Sequence, residues 1–371
     1  MTNSPTTSVL FSGYAPVHFV CFRPLFEMLK RAPGVEVFVS GGLRTKSDDQ
    51  TNYDLSGLYD PLGIDSSHRL SVDEIRDREF DCLFAANTKM IAPKHVNKRV
   101  QIFHGVSFRN KAVRSENAGA DHYFIVGPYM RRAFASTGII PEGDTRACEI
   151  GFMKTDRLLN GELDRRKTLA SHGLSGDRPV IVYAPTGQKH NSLETMGEEV
   201  IKRIAATNAF DVIIKPHDHP KNPINWPERL LPQTGEHTVL SPNPDVIELL
   251  HAADVLITDA SSVSNEFSLL NRPMIFLDVP KLIRKASSKE GTMVDLDTWG
   301  RQCGPIVENP EQIVGIVEHA LANPEGHEDI RKAMASDLFF NPGRATEAAF
   351  DWLKSSVFEE TLAHTEQIES R

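Results

Sequence analysis

The sequence predicts an α/β protein of two open domains, each built on a parallel sheet, and three observations carry that prediction. The chain has 371 residues, where roughly 150 usually make one domain. Short β-branched and aromatic runs alternate with helix-compatible stretches almost from end to end, which is the pattern of βαβ units. A charged stretch from Asn160 to Pro179, ending in SGDRP, interrupts the alternation near the middle. The spacing therefore predicts a first domain over 1–160, a second over 175–340, and a C-terminal helical segment over 341–371 able to pack back on the first.

In the first half, strands are expected at Ser8–Phe11, Val35–Ser40, Asp81–Phe84, Val100–Phe103, Tyr123–Val126 and Ala147–Ile150. Helices such as Arg23–Arg31 and Tyr129–Ser136 fit between them. The Asn160–Pro179 stretch reads as a helix followed by a linker. Beyond it, strands are expected at Val180–Ala184, Phe210–Ile214, Thr238–Leu240, Val255–Thr258 and Met274–Leu277. Helices fit Glu194–Ala206, Asp245–Ala252 and Ser264–Leu270, and the Pro-rich Asn222–Pro244 reads largely as loop. A last helix, Arg344–Phe358, follows the turn Asn341-Pro342-Gly343.

Composition narrows the function. Basic residues number 41 and acidic residues 50, a formal net charge of −9. That balance argues against a nucleic-acid partner, which calls for a concentrated basic face. Cys21, Cys82, Cys148 and Cys303 lie far apart with no CxxC pair, as expected of reduced thiols in a cytoplasmic protein. No apolar run approaches the ~20 residues that span a bilayer, and MTNSPTTS lacks the features of a signal peptide. Glycine-rich dinucleotide and P-loop fingerprints are missing, as are HExxH and GxSxG. Metal-ligand clustering is poor: His217, Asp218 and His219 stand together, but hydrogen bonding is the simpler use for them, so no metal site is expected.

Ligands of open α/β sheets bind beyond the carboxyl ends of the strands, so residues at those ends are the candidates. The run DVLITDASSVSNEF ends a buried strand at Thr258 and Asp259 and opens a helix at Ser261 and Ser262. Small hydroxyl residues there let a helix start approach a phosphate closely, although a serine in that place also caps an ordinary helix. Glu266, one turn on, is near enough to reach a ribose or polyol hydroxyl. In DVIIKPHDH, Pro216 stops the strand and presents His217, with Lys215 beside it. VQIFHGVSFRNK delivers His104, with Arg109 and Lys111 following at a distance suited to an acceptor or phosphate group. YAPT, ending in Thr186, is a fourth strand end, and SGYAPVHF places His18 after the first strand. The basic Lys281–Lys289 stretch suits a solvated loop or an anionic lipid surface.

In combination these elements resemble the CDP-glycerol glycerophosphotransferase family, the teichoic-acid primases and polymerases. The matching elements keep the family's order: His104-Gly105, Tyr183-Ala184-Pro185-Thr186, Lys215-Pro216-His217, Thr258-Asp259-Ala260-Ser261-Ser262 and Asn271-Arg272-Pro273. GFMKTD, from Gly151 to Asp156, is similar to the family's Gly-x-x-x-x-Asp segment. The resemblance runs from about Gln101 to Leu277. Two departures stand out: the family's His-Gly-Thr-Pro-Leu-Lys reads HGVSFR here, and Gly187 and Gln188 replace the Trp-Arg after YAPT.

The resemblance implies a GT-B fold, two Rossmann-like domains whose parallel sheets face a central cleft. It implies transfer of an alditol phosphate from a CDP-activated donor to an acceptor hydroxyl with release of CMP, in cell-envelope or capsule polymer synthesis. Beyond the CDP-alditol substrate no cofactor is implied. The acceptor would be a polyol phosphate or saccharide, with lipid linkage an option, and the protein would touch the inner leaflet weakly. By the same resemblance His104 matches the general base, and His217, Ser261 and Ser262 match the group holding the donor pyrophosphate. Lys215, Thr258, Asp259 and Glu266 would complete the donor site, and Thr186 and Asp156 are further candidates. His18 is a rival base, since many GT-B enzymes place one after the first strand. Two other functions compete. A GT-B sugar transferase or UDP-sugar 2-epimerase is disfavoured by Ser261-Ser262 standing where epimerases carry glycines. A non-catalytic nucleotide-binding module is disfavoured by the presence of both His104 and His217.

Overall fold

Contacts divide the chain into two units: Met1–His104 with Ala112–Asp156 and Phe339–Arg371, and Gly105–Lys111 with Arg157–Leu338. The computed structural model describes residues 6–47, 50–86, 90–105, 119–217, 224–243, 245–287 and 299–359.

The strands of the first unit are β1 (Thr7–Gly13), β2 (Val35–Gly41), β3 (Leu43–Ser47), β4 (Gln50–Asp54), β5 (Arg69–Leu70), β6 (Glu79–Ala85), β7 (His95–Gln101), β8 (His122–Ile125) and β9 (Ala147–Glu149). β3 and β4 form an antiparallel hairpin. The other seven make one sheet in the order β5-β2-β1-β6-β7-β8-β9, parallel throughout. Val9, Leu10 and Phe11 of β1 are buried without interruption, as a strand covered on both faces requires. The strand order reverses between β1 and β6, which puts the ligand-binding end of this sheet beyond Gly13 and Ala85.

The first helix corrects the sequence reading. It runs over Pro16–Leu29 and carries Pro24 inside it, whereas the sequence reading places a helix at Arg23–Arg31. Pro16 occupies the first turn, where its missing N–H costs nothing. An interior proline costs about 3 kcal/mol in a helix. Phe19, Phe22 and Phe26 are all buried, each contributing about 1.5–3 kcal/mol, so their burial outweighs that cost. Phe11 stacks on Phe22 at 4.7 Å and on Phe84 at 5.0 Å, locking the helix to β1 and β6.

The C-terminal helix, Ala345–Leu353, belongs to this same unit. Phe340 N–H donates to the Val126 carbonyl at 2.7 Å, continuing from the end of β8. Gly151 has φ +103°, and a Cβ there would lie 2.2 Å from the Phe340 carbonyl oxygen. Asp156 accepts from Ala345 N–H at 3.0 Å, Thr346 N–H at 2.7 Å and the Thr346 hydroxyl at 2.6 Å. The Gly-x-x-x-x-Asp segment therefore has a structural explanation. Its glycine admits the returning chain and its aspartate satisfies the exposed donors at the helix start.

The second unit holds β10 (Val180–Tyr183), β11 (Asp211–Ile214), β12 (Thr238–Leu240), β13 (Val255–Thr258), β14 (Met274–Leu277) and β15 (Ile306–Val307). They form a parallel sheet in the order β12-β11-β10-β13-β14-β15, which is the doubly wound order with its switch between β10 and β13. VIVY, DVII, VLIT and MIFL are buried along their whole lengths. Tyr183 pairs with Ile214 on one side and Ile257 on the other, so Ala184, Lys215 and Thr258 emerge from the sheet at one level. The expected loop over Asn222–Pro244 contains a helix, Trp226–Leu230. Asn225 caps it through Glu228 N–H, and Trp226 is buried in the core with Leu230.

Candidate active site

In the first unit, the switch-point end of the sheet brings two histidines together. After β7 the Ile102 N–H donates to Ala85 O at 2.9 Å, carrying the chain alongside the end of β6. His104 then donates through Nδ1–H to the Ala86 carbonyl at 2.7 Å. A carbonyl can only accept, so Nδ1 carries a proton, and in the neutral ring the lone pair is on Nε2. The His104 side chain is exposed. His18, in the first turn of Pro16–Leu29, is 4% exposed. The two ring centroids are 5.3 Å apart. Burial, aided by the neighbouring His104, lowers the pKa of His18 to about 3, so it is neutral at physiological pH. That these two residues meet is invisible in the local sequence, since it depends on β6 and β7 following β1 in the sheet.

In the second unit, three strand ends lie side by side. β11 and β13 flank β10, so their ends are about 10 Å apart at two strand spacings. Lys215 is buried and donates through Nζ to the Pro216 carbonyl at 3.0 Å, and His217 next to it is exposed. Beyond β13, Ser262 starts the short helix Val263–Ser268 and makes no side-chain cap bond. The Ser261 carbonyl accepts from the Ser264 hydroxyl at 2.9 Å. Among the described residues no acceptor meets the backbone N–H groups of Ser261, Ser262 or Val263. Three successive unpaired donors are an anion-accepting arrangement. Glu266, one turn on, is 2% exposed.

Four predicted site residues make internal hydrogen bonds. The sequence predicts Thr258 and Asp259 as donor contacts, but the Thr258 hydroxyl is fully buried and donates to Ala184 O at 2.7 Å. Asp259, also fully buried, accepts at one oxygen from Thr186 N–H (2.9 Å) and Ala260 N–H (2.6 Å). Its other oxygen accepts from the Ser192 N–H and hydroxyl, both at 2.9 Å. Burial pushes this carboxyl above the usual range while the four donors pull it down. Thr186 is buried; its N–H donates to Asp259, and its carbonyl accepts from Asn191 Nδ2 at 2.8 Å. Asp156 anchors the C-terminal helix, as described above. Arg109 and Lys111, like Asp218 and His219, lie outside the described residues.

Sequence reasoning misses the residues that brace this end of the sheet. Tyr183 Oη and Ser192 Oγ are 2.7 Å apart, linking Tyr183 through Ser192 to Asp259. Gly197 makes the link possible, because a Cβ there would stand 2.3 Å from Tyr183 Oη. Burial holds the Tyr183 phenol far above its ordinary pKa, so it stays protonated. Nothing in the local pattern around Ser192 or Gly197 marks either one. Ser192 flanks and Gly197 ends a single π-helical turn, Leu193–Gly197, before the helix Glu198–Ala206.

Comparison with known proteins bears on the family and the fold. The chain is 30% identical over 183 residues to the teichoic acid poly(ribitol-phosphate) polymerase of Bacillus spizizenii, covering 47% of this chain and 28% of that protein. It is 32% identical over 103 residues to the teichoic acid glycerol-phosphate primase of Bacillus subtilis, covering 27% and 25%. A teichoic acid poly(glycerol phosphate) polymerase of Bacillus spizizenii is 26% identical over 193 residues, covering 49% and 46%. The chain thus spans between a quarter and about half the length of these relatives. Its fold is that of the wall teichoic acid polymerase TagF (TM-score 0.68, 18% identity, 96% of this chain and 90% of that one). It is also that of a putative UDP-N-acetylglucosamine 2-epimerase from Listeria monocytogenes (TM-score 0.62, 14% identity, 96% and 98%), so the expected GT-B architecture is present. Residues 86–351 match the family described as CDP-glycerol:poly(glycerophosphate) glycerophosphotransferase, and the chain belongs to that family.

Proposed function

We propose that this protein transfers an alditol phosphate from a CDP-activated donor to an acceptor hydroxyl and releases CMP, as a step in cell-envelope or capsule polymer synthesis. Family membership supports the reaction class. The observation that carries the reading onto this chain is the end of β13, where three unpaired N–H groups at Ser261, Ser262 and Val263 follow a strand at the topological switch. We assign them the donor pyrophosphate, with Lys215 and His217 beside them and Glu266 toward the sugar or polyol. Thr258, Asp259 and Thr186 act indirectly, by fixing the two strand ends that carry these groups. We assign the base to His104, with Arg109 and Lys111 as contacts to acceptor or phosphate.

The chemistry follows from those positions. Releasing CMP requires breaking the bond between the β-phosphorus and the bridging oxygen. The acceptor oxygen attacks that phosphorus in line, and its proton passes to Nε2 of His104. Charge that gathers on the phosphoryl oxygens and on departing CMP is met by backbone N–H groups and by the Lys215 and His217 side chains. Incubation with a panel of CDP-alditols and acceptors, followed by mass analysis, tests the reading. An acceptor heavier by one alditol phosphate, with equimolar CMP, is expected. Stabilisation by UDP-N-acetylglucosamine but by neither CDP-glycerol nor CDP-ribitol would shift the assignment to a sugar enzyme.

We further propose that the protein works at a membrane surface. The helix Pro280–Ser287 exposes Lys281, Arg284 and Lys285 while Leu282 is buried, and residues 281, 284 and 285 share a face at helical spacing. No helix among the described residues is long and apolar enough to cross a membrane. Flotation with anionic vesicles at low salt should carry the protein, and neutral vesicles should not. Equal recovery from both would remove this part of the proposal.

A further inference from the structure

The buried neighbour of His104 has a role that its hydrogen bonds define. Nδ1 of His18 accepts the Tyr14 backbone N–H at 3.2 Å. A backbone N–H can only donate, so Nδ1 carries the lone pair and the imidazole proton sits on Nε2. Neutral His18 therefore has no second lone pair with which to take a proton from a substrate. His104 is the opposite case: its Nδ1–H is given to Ala86 O, so in the neutral ring the lone pair sits on Nε2, and the residue is exposed.

The surroundings of His18 are fitted to a neutral imidazole. The Tyr14 ring meets it edge-on at 4.6 Å. Gly13 leaves room behind it, since a Cβ at Gly13 would stand 2.9 Å from the His18 Cβ. The His104 ring lies 5.3 Å away with a tilt of 56°. We propose that His18 is a positioning residue, a neutral buried imidazole that backs the His104 ring and leaves Nε2 of His104 as the proton acceptor of the pair. This deepens the assignment of His104 as base and rests on it. When His104 takes up the acceptor's proton, the pair then carries one positive charge and not two. An aliphatic side chain at 18 would leave the Tyr14 N–H without its acceptor and the ring of His104 without its support.

Tautomers are read without any substrate from nitrogen-15 NMR of the imidazoles in the full chain, assigned with His18→Asn and His104→Ala. The expected result is the Nδ1–H form for His104 and the Nε2–H form for His18, the latter unchanged between pH 8 and 5. His18→Leu is expected to mix the two forms of His104. His18→Asn, whose amide oxygen can accept the Tyr14 N–H, is expected to restore the wild-type form. In turnover, His18→Leu should lower kcat on the order of 10-fold with donor KM within about twofold. The double variant His18→Leu/His104→Ala should be no slower than His104→Ala alone, because His18 acts through His104. The proposal is overturned by an Nδ1–H tautomer at His18, by its titration near the ordinary value, or by additive losses in the double variant. If no CDP-alditol is turned over, the proposed function fails while the tautomers still decide this one. If His18→Leu does not fold, the wild-type and His18→Asn spectra decide it.

Discussion

Replacing Asp156 by alanine separates a structural aspartate from a substrate-binding one. Its carboxylate is 3% exposed and accepts three hydrogen bonds, two from backbone N–H groups at the start of Ala345–Leu353 and one from the Thr346 hydroxyl. Losing a helix N-cap costs about 0.5–2 kcal/mol. Buried donors left without an acceptor add about 1–3 kcal/mol. Against these stands relief of the burial that pushes the Asp156 carboxyl above its usual range. The balance predicts a loss of about 2–3 kcal/mol for Asp156→Ala, and about half that for Asp156→Asn, which keeps one acceptor oxygen. Urea unfolding followed by circular dichroism measures both, and the two units call for a check that one transition describes the melt. Donor binding measured by calorimetry should stay within about twofold of wild type. A loss under about 0.5 kcal/mol together with a large drop in donor affinity would refute the anchoring role.

Three further outcomes follow. Gly197→Ala drives a methyl into the space of Tyr183 Oη and should cost about 1–3 kcal/mol of stability, whereas an unchanged melting temperature would mean that the π-helical turn absorbs it. His217→Ala should weaken donor binding on the order of 10-fold, as loss of a charge-assisted contact does, and equal affinity for CDP-glycerol in calorimetry would remove His217 from the phosphate site. Folded His18 stays neutral down to about pH 3, but in the unfolded chain it titrates near ~6.5. The unfolded state therefore takes up the proton first, and stability should fall as the pH drops from about 6.5 toward 3. A shift of this size sets an upper bound of about 5 kcal/mol, and urea midpoints of His18→Asn should depend less steeply on pH than those of wild type; parallel curves would contradict the burial of a neutral ring.

Much of the fold is legible because parallel strands covered on both faces must be continuously apolar. VIVY, DVII, VLIT and MIFL announce themselves that way, and all four are strands of the second sheet. The two-residue edge strands Arg69–Leu70 and Ile306–Val307 are too short to leave a period, and the β3–β4 hairpin is polar along most of its length. The first helix starts earlier than Arg23 and runs through Pro24, because three buried phenylalanines hold it in place. Trp226 misleads: prolines flank it closely, yet its indole belongs to the core.

The candidate site was legible as a set of strand ends, not as an arrangement. Lys215, His217, Ser261 and Ser262 follow apolar runs directly, so their place at the sheet edge could be read. Asp259 and Asp156 carry the same residue type as a ligand-binding carboxylate, and only their hydrogen bonds reveal that they serve the backbone. His18 and His104 stand as rivals in the sequence, because strand order is not written locally. Once β6 and β7 are seen to follow β1 in the sheet, they become neighbours with different tautomers.

The central claim is that this chain moves an alditol phosphate with His104 as the base, and single-turnover product analysis of wild type against His104→Ala tests it most directly. Wild type mixed with a CDP-alditol and a polyol-phosphate acceptor should yield acceptor plus one alditol phosphate and an equal amount of CMP. His104→Ala should bind the donor with nearly unchanged affinity while the transfer rate falls on the order of 10²-fold or more. Transfer by His104→Ala at the wild-type rate, or release of a nucleoside diphosphate in place of CMP, would contradict the account.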